Sequence, residues 1–374
     1  MLHSVKVFIL SCLALNWMSS YGQGCVAIRS FSSCSPNAFT NSNIISRGWQ
    51  LGIGYRYFES FRHFKGTHEE TDRQVLGNEV INWTTQMNLG LTYNFDRREG
   101  ISVVIPWSYN TRSSEYEHRF EASPTIRSRH SMRSSGIGDL RITYNRWIWH
   151  PDSVESGNLL IIAGIKLPTG DFDHLAYWYN VGPDGRGEYR PVDQSIQLGD
   201  GGAGLSLEFQ GFKRLHRRVY GYINAFYLSN PMGVNGTRTF RETISPVLAN
   251  ENIMSVPDQY MMRAGIGAVM DREHGLNLLA GGRVEGIPVE DIIGPSDGFR
   301  RPGYVISFEP GLNWMKGRHD LFLSVPLAMV RNRTQSVTDK EMSARLNTPR
   351  HGDAAFADHT INLAYTVHLG DLKR

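Results

Sequence analysis

The most restrictive feature of this sequence is a repeated alternation of apolar with polar or small residues. In the segment 358–369, for example, Ile361, Leu363 and Tyr365 alternate with Asn362 and Ala364. A period of two is typical of a β-strand with one apolar face, and it is incompatible with a helix. Twelve segments of this kind occur, at 48–58, 84–95, 101–111, 137–148, 158–168, 200–212, 218–229, 258–270, 276–287, 303–315, 320–331 and 358–369.

The connections between these segments alternate strictly between short and long. The short ones are Asp96–Gly100, Trp149–Gly157, Lys213–Arg217, Asp271–Gly275 and Lys316–His319. The long ones are 59–83, 112–136, 169–199, 230–257, 288–302 and 332–357. Outer-membrane barrels sort their connections in this way, with short periplasmic turns and long extracellular loops. The sequence therefore predicts an all-β fold, a transmembrane antiparallel up-and-down β-barrel of about twelve strands.

A lysine inside the apolar segment 158–168 supports this prediction. Leu159, Ile161 and Ile165 belong to one unbroken apolar face, whereas Lys166 falls on the other face. Strands can cross hydrocarbon only in a closed sheet, because lipid offers no partner for an unpaired backbone amide. The lysine is therefore expected to point into a lumen.

The same alternation of odd and even positions along each strand assigns a set of charged side chains to the lumen. One interpretation is a polar conduit, in which these charges set the local field and the selectivity. The other is an ion-pair lattice that fills a narrow barrel, and the sequence leaves both open. The residues predicted to line the pore are Arg56, Asp139, Arg141, Lys166, Glu208, Arg263, Arg283, Glu285 and Glu309.

Three details refine the predicted barrel. Aromatic residues fall near both ends of the segments, as expected of the two girdles of a membrane barrel. Arg146 falls at a position on the apolar face of its strand, near the periplasmic rim, where its side chain can reach water. Pro106 and Pro326 lie within strands and predict a bulge or kink, because proline cannot donate a ladder hydrogen bond.

The first 23 residues have the pattern of a secretory signal peptide. Lys6 supplies the basic start, 7–15 is a short apolar core, and small residues precede a cleavage point near Gln23. The expected organisation is a signal peptide at 1–23, a periplasmic segment at 24–47, the barrel at 48–369 and a short tail at 370–374. Cys25 and Cys34 are candidates for a small disulfide loop in an oxidising compartment.

Several other classes of protein find little support. The formal net charge of +3 is too close to balance to indicate a nucleic-acid partner. No metal-ligand spacing and no cofactor motif occur, so neither a metal nor a cofactor is predicted. An outer-membrane phospholipase is also a twelve-stranded barrel, but a rim lipid hydrolase needs a serine beside a histidine base. His274 and His359 lack such a serine partner, and no enzymatic activity is expected.

Two motifs together resemble those of a known family. Gly136, Gly138 and Asp139 form a GxGD strand start. About 25 residues later, the chain reaches a second motif, LPTGD, which is made of Leu167, Pro168, Thr169, Gly170 and Asp171. This resembles the outer-membrane transporter-like β-barrel family named for the meta-pathway of phenol degradation. The resemblance implies a barrel for uptake of small, often hydrophobic or aromatic, compounds. The non-aromatic end of the chain, Leu369–Arg374, departs from the usual barrel-assembly signal.

The function expected from the sequence is passive transport of small molecules across the outer membrane of a Gram-negative-type envelope. Its expected partners are outer-membrane lipid, an unidentified small solute, and the barrel-assembly machinery during biogenesis. The alternative is a structural or adhesive surface barrel with a filled lumen and loops that bind a partner.

Overall fold

The computed structural model of the chain describes residues 47–118, 128–154, 156–239 and 246–370. The expected signal peptide, the segment up to Ser46, both candidate disulfide cysteines and the last four residues lie outside the described residues. The wall strands, numbered in chain order, are β1 Gly48–Ser60, β2 Ile81–Asn94, β3 Glu99–Ser114, β4 His130–Ile137 with Arg141–Trp147, β5 Gly157–Lys166, β6 Gly204–Arg214, β7 Val219–Ser229, β8 Gln259–Asp271, β9 Leu276–Ile287, β10 Gly303–Lys316, β11 His319–Ser324 with Leu327–Asn332, and β12 Ile361–His368.

The twelve strands close into an antiparallel barrel. Each strand pairs with its sequence neighbours, and β1 pairs with β12 through a register that includes Gln50 opposite His368 and Tyr57 opposite Ile361. Closure leaves no free sheet edge. The predicted all-β barrel of about twelve strands is confirmed.

Two wall strands are interrupted. β11 breaks at Val325 and Pro326, as the proline there predicts. Pro106 instead lies within a continuous β3, and the interruption falls opposite it in β4, at 138–140, where the amide of Gly138 donates to the carbonyl of Pro106 over 2.8 Å.

The predicted segment 137–148 is wrong at its start, because β4 begins at His130. Ser131, Arg133 and Ser135 occupy the outward positions of this added part. Since the outward face is polar there, the apolar alternation that marks a membrane strand is absent, although the hydrogen-bonded ladder with β3 continues.

The wall has two chemically distinct faces. Met87, Leu89 and Leu91 of β2 are exposed on the outside, whereas Gln86 and Asn88 between them are buried inside. In β5 the outward Ile165 is 43% exposed and the neighbouring Lys166 is 1% exposed. The lysine therefore lies on the inner face, as its parity predicts, and the outer face presents apolar side chains to lipid.

The two ends of the barrel differ in size. The turn end consists of the connections 95–98, 148–156, 215–218, 272–275 and 317–318, and the loop end carries the six longer connections. The loops contain further short elements, namely the strands Arg62–Lys65, His68–Glu69, Leu175–Trp178, Glu188–Pro191, Val234–Arg238, Ile253–Ser255 and Ala354–Phe356, the α-helices Asp72–Val75 and Val337–Leu346, and the 3-10 helices Tyr116–His118, Pro183–Gly185, Gln194–Ile196 and Pro246–Glu251. Among the described residues, no helix combines the length and the apolar character needed to span a bilayer.

Aromatic side chains surround both ends of the outer wall. Trp49 and Phe95 are 48% exposed near the turn end, and Trp107 and Tyr109 are exposed towards the loop end. These positions fit the predicted girdles. Arg146 is an exposed side chain near the turn end and lies 3.4 Å from the carboxylate of Glu99.

Candidate functional site

A lattice of charged side chains crosses the lumen. Arg56 on β1 donates to Glu285 on β9 over 2.7 Å, although three wall strands separate β9 from β1. Arg283 donates to the same carboxylate over 2.5 Å and approaches Glu309 at 3.5 Å, and Arg263 approaches Glu309 at 3.7 Å. We call these five residues the cross-lumen lattice. Each of them is at most 3% exposed, so the lattice lies in a part of the lumen with almost no exposure to water.

An apolar cluster lies in the lumen on the turn side of the lattice. Tyr222, Leu279, Phe322 and Ala364 form a buried cluster contributed by four different strands. The guanidinium carbon of Arg263 lies 5.4 Å from the ring centre of Phe322, which joins the apolar cluster to the lattice. A cation over an aromatic face is favourable, and more so when it is desolvated.

The lumen on the loop side of the lattice contains a cavity of about 90 Å³. Two of its lining residues, Phe58 and Ile287, each lie two positions along their strands from Arg56 and Glu285, and Gln86 is the register partner of Arg56, so the cavity lies next to the lattice. Loop segments form the roof. The lining combines apolar with mainly uncharged polar side chains, those from the wall being Phe58, Thr84, Gln86, Pro106, Ser108, Asn110, Gly138, Asp139, Gln259 and Ile287, and those from the loops Gln194, Ser195, Gln197, Leu198, Gly199, Asp200, Asn235, Met254, Ser255, Pro257 and Arg301.

Charged groups hold the roof in place. Asp193 accepts two hydrogen bonds from Arg301, over 2.9 and 2.7 Å, and lies 3.5 Å from Arg112. Burial by itself would raise the pKa of Asp193, but the Arg112 and Arg301 guanidiniums outweigh burial and hold its pKa below the ordinary value. The carboxylate therefore stays ionised and ties the third loop to β3 and to the fifth loop.

The interruption in β4 is filled by the third loop. Asp139 accepts from the amide of Gly170 and from the amide of Asp200, both over 3.0 Å. Lys166 forms an ion pair with Asp200 and lies 3.9 Å from Asp139. We call Asp139, Lys166 and Asp200 the β4-gap cluster.

Thr169 completes the closure of the gap. Its hydroxyl accepts from the amide of Leu140 over 2.9 Å and donates to the carbonyl of Gly138 over 3.0 Å. The loop thus satisfies backbone groups that a neighbouring strand would otherwise pair.

The glycines of the motifs allow three backbone segments to meet at this gap. A Cβ at Gly170 would lie 2.8 Å from the Cα of Gly199, and a Cβ at Gly138 would lie 3.0 Å from the carbonyl oxygen of Leu198. Side chains at these positions would collide with backbone, so glycine is required for the close approach. The GxGD and LPTGD motifs therefore have a structural role in this chain.

The nine residues predicted to line the pore fall into separate groups. Five form the cross-lumen lattice, and Asp139 and Lys166 belong to the β4-gap cluster. Glu208 accepts from Gln210 and Asn224, and Arg141 lies 5.5 Å from the ring centre of Phe226 across the lumen. Eight of the nine are at most 5% exposed, and Asp139 is half-buried at the cavity. Whether they line a path for solute stays a prediction.

Sequence reasoning missed the loop residues of the site. Asp193 and Arg301 lie in segments without alternation, so the alternation gave no information about them. Asp200 is the first residue of the predicted segment 200–212, but it lies in the third loop, because β6 begins only at Gly204. One signal was present for Asp200, because Gly138–Asp139, Gly170–Asp171 and Gly199–Asp200 repeat one dipeptide and all three meet at the gap. Within the described part of the chain, no group of three or more His, Cys, Asp or Glu side chains is arranged to hold a metal ion.

Comparisons with known proteins support the fold. The chain is similar to an outer membrane channel from Pseudomonas putida F1, with a TM-score of 0.52, 13% sequence identity, and coverage of 87% of this chain and 97% of that chain. It also matches the β-domain of the Bordetella autotransporter BrkA (TM-score 0.41, 10% identity, 87% and 100% coverage) and the toluene transporter TodX of P. putida (TM-score 0.38, 8% identity, 93% and 96% coverage). At TM-scores below 0.5, neither of these two similarities bears on the function of this chain.

The first similarity shows that the two chains share an outer-membrane barrel fold. No protein-family model matches the chain, and no curated protein matches its sequence.

Proposed function

We propose that this protein is a passive outer-membrane channel for small molecules, with the loop-side cavity as the site that receives the solute. The observation that carries the proposal is the cavity of about 90 Å³ that wall and loop residues line inside the barrel, next to the cross-lumen lattice. A concave site inside a rigid wall, with polar groups spaced among apolar ones, is the usual form of a small-molecule site.

The lining favours a small, uncharged solute with an apolar body and a few hydrogen-bonding groups. Gln86, Asn110 and Gln259 present carboxamides, which can donate as well as accept. Phe58 and Met254 present apolar surface beside them. Hydroxylated aromatic compounds meet this description, and they are the class that the motif resemblance implies.

The cross-lumen lattice is the barrier in this proposal. Arg56, Arg263, Arg283, Glu285 and Glu309, with Arg141, Lys166, Glu208 and Asp139 beside the path, would set the field that a permeating solute meets. Oppositely charged rings at a constriction exclude ions more strongly than neutral molecules. We therefore expect low ion conductance together with measurable flux of small neutral solutes.

The remaining parts of the proposal concern cellular context. We place the protein in the outer membrane of a Gram-negative-type envelope, with the loop end outside, after secretion by its signal peptide and insertion by the barrel-assembly machinery. We also propose membership of the phenol meta-pathway transporter-like family and no enzymatic activity. One barrel of the same fold, the protein from P. putida F1, is an outer membrane channel.

Swelling of proteoliposomes in small uncharged solutes, such as glycerol and arabinose, tests the channel. Flux above that of protein-free liposomes, falling as the solute grows, is expected. Folding is checked by resistance of the barrel to SDS without heating. A correctly folded barrel that gives no flux for any solute would refute the proposal.

A second function, a structural or adhesive surface barrel, is favoured by one observation. The lattice and the apolar cluster beside it place buried side chains inside the lumen, as expected of a barrel with a filled interior. Absence of flux together with specific binding of a partner to the loops would favour this second function over transport.

A further inference from the structure

The turn between β6 and β7, taken together with the last two residues of β6, carries an unusual concentration of exposed positive charge. Its sequence, Lys213-Arg214-Leu215-His216-Arg217-Arg218, contains four permanent cations and no acid, and all six side chains are exposed. The next turn adds Arg272, whose side chain donates to the carbonyl of Arg217 over 2.7 Å, and also carries the exposed Glu273. The patch is therefore strongly cationic.

The basic side chains of this turn differ in their partners from arginines of the loop end. At the loop end, Arg112, Arg300 and Arg301 form ion pairs with carboxylates. At the turn end, Lys213, Arg214, Arg217 and Arg218 form no salt bridge with any residue that the structure describes. Their charge is available to an external anion.

The position of this turn indicates which anion it meets. Lys213 continues the outward column of Leu205 and Leu207, which faces lipid. The tip of the Leu215 side chain lies 3.6 Å from the point where a Cβ on the outward-facing Gly221 would stand, so Leu215 rests on the outer wall, and it is 61% exposed. An apolar side chain on the wall, flanked by cations, fits the boundary between hydrocarbon and headgroups.

We infer that the turn Lys213–Arg218 is a binding site for anionic phospholipid in the leaflet that meets the turn end. The phosphate is recognised by Lys213, Arg214, Arg217 and Arg218, while Leu215 contacts the first part of the acyl chains. Basic side chains at a membrane surface attract anionic lipid additively. Binding of an acidic protein from the aqueous phase would not account for a leucine placed against the lipid-facing wall.

Spin-label electron paramagnetic resonance with reconstituted full-length protein tests the inference. The protein is placed in dioleoylphosphatidylcholine vesicles that contain either spin-labelled phosphatidylglycerol or spin-labelled phosphatidylcholine. We expect enrichment of phosphatidylglycerol at the protein by at least about fivefold, which is the effect that one basic residue alone would produce at a membrane surface. The variant K213Q/R214Q/R217Q/R218Q should reduce the enrichment to nearly one.

A matched control removes four exposed bases from the loop end, as Arg133→Gln, Lys340→Gln, Arg345→Gln and Arg350→Gln. This control should keep the enrichment of the wild type. If the fourfold turn variant does not fold, R217Q/R218Q carries the same test with a smaller loss.

Three results would overturn the inference. One is equal phosphatidylglycerol enrichment in the wild type and the turn variant, and another is no enrichment in the wild type. The third is absence of lipid preference combined with binding of soluble polyglutamate to the wild type, which would assign the turn to an acidic protein partner. None of these measurements depends on whether the lumen conducts solute.

Discussion

The cross-lumen lattice and the β4-gap cluster are both groups of buried charges, but they are built in different ways. The lattice joins side chains of β1, β8, β9 and β10, each held by a regular strand. The β4-gap cluster joins Asp139 to backbone amides of the third loop and to Lys166. The lattice lies across the lumen, whereas the gap cluster fills an interruption in the wall and borders the cavity.

This difference indicates which interactions stabilise each region. In the lattice, each carboxylate neutralises neighbouring guanidiniums, so loss of one carboxylate leaves buried positive charge. In the gap cluster, backbone amides and close glycine contacts contribute to stability together with the ion pair. We therefore expect the lattice to be sensitive to charge and the gap to be sensitive to volume.

The largest expected effect follows from neutralising the shared carboxylate of the lattice. Glu285→Gln leaves Arg56 and Arg283 facing an uncharged group in a site with almost no exposure to water. Removing one member of a buried ion pair typically costs about 3–5 kcal/mol. Guanidinium unfolding of the barrel in vesicles, followed by tryptophan fluorescence, measures this loss.

Glu208→Gln is the matched control in the same lumen. Its carboxylate accepts from the amides of Gln210 and Asn224, and a glutamine oxygen can accept in its place. The expected loss is about 1 kcal/mol, the contribution of a single hydrogen bond. Equal destabilisation by the two changes would contradict the special role given to the lattice charge.

The next effect tests the sensitivity of the gap to volume. Gly170→Ala would place a Cβ 2.8 Å from the Cα of Gly199, so the third loop must move away from β4. Overpacking of this kind costs about 1–3 kcal/mol. Limited proteolysis of the third loop in folded barrels should become faster.

Gly282→Ala is the matched control, because a Cβ there meets nothing within 4 Å. It should leave both stability and proteolysis unchanged. If Gly170→Ala behaved like Gly282→Ala, the close packing at the gap would be refuted.

A smaller effect is expected at acid pH and only on the loop side. Burial lowers the pKa of His118 to about 4, and its Nδ1 accepts from the amide of Tyr179 over 3.2 Å. The folded state binds this proton less readily than the unfolded state, so the stabilisation is complete above pH 6.5 and is lost as pH falls towards 4. Cleavage of the third loop by an acid-tolerant protease should accelerate over that interval.

The variant His118→Phe removes the titrating group. Its loop should be cleaved faster than that of the wild type near neutral pH, with a weaker dependence on pH. An identical pH dependence in both proteins would assign the acid sensitivity to another group.

The regular part of the fold was predictable from the sequence, for a physical reason. Hydrocarbon outside and polar groups inside impose a period of two, so parity alone assigned Arg56, Lys166 and Arg283 to the inner face. Distances across the lumen were not predictable in this way. Parity does not state that Arg56 reaches Glu285, because that contact depends on barrel diameter and strand stagger.

The loop-built part of the site was less predictable. Asp193 and Arg301 lie in irregular segments, where neither periodicity nor spacing fixes the backbone. The β4 interruption was also missed, although the nearby Pro106 suggested a local irregularity. Proline indicated the level of the irregularity, and three of the five Gly-Asp dipeptides of the sequence lie in the segments that meet there.

The most direct test of the central claim is the single-channel conductance of a charge-balanced variant. Arg56→Ser with Glu285→Ser removes one cation and one anion from the lattice and opens space where the two side chains meet across the lumen. If the lattice is the barrier beneath the cavity, conductance in planar bilayers should rise severalfold above that of the wild type. Unchanged conductance in a folded variant would contradict the account.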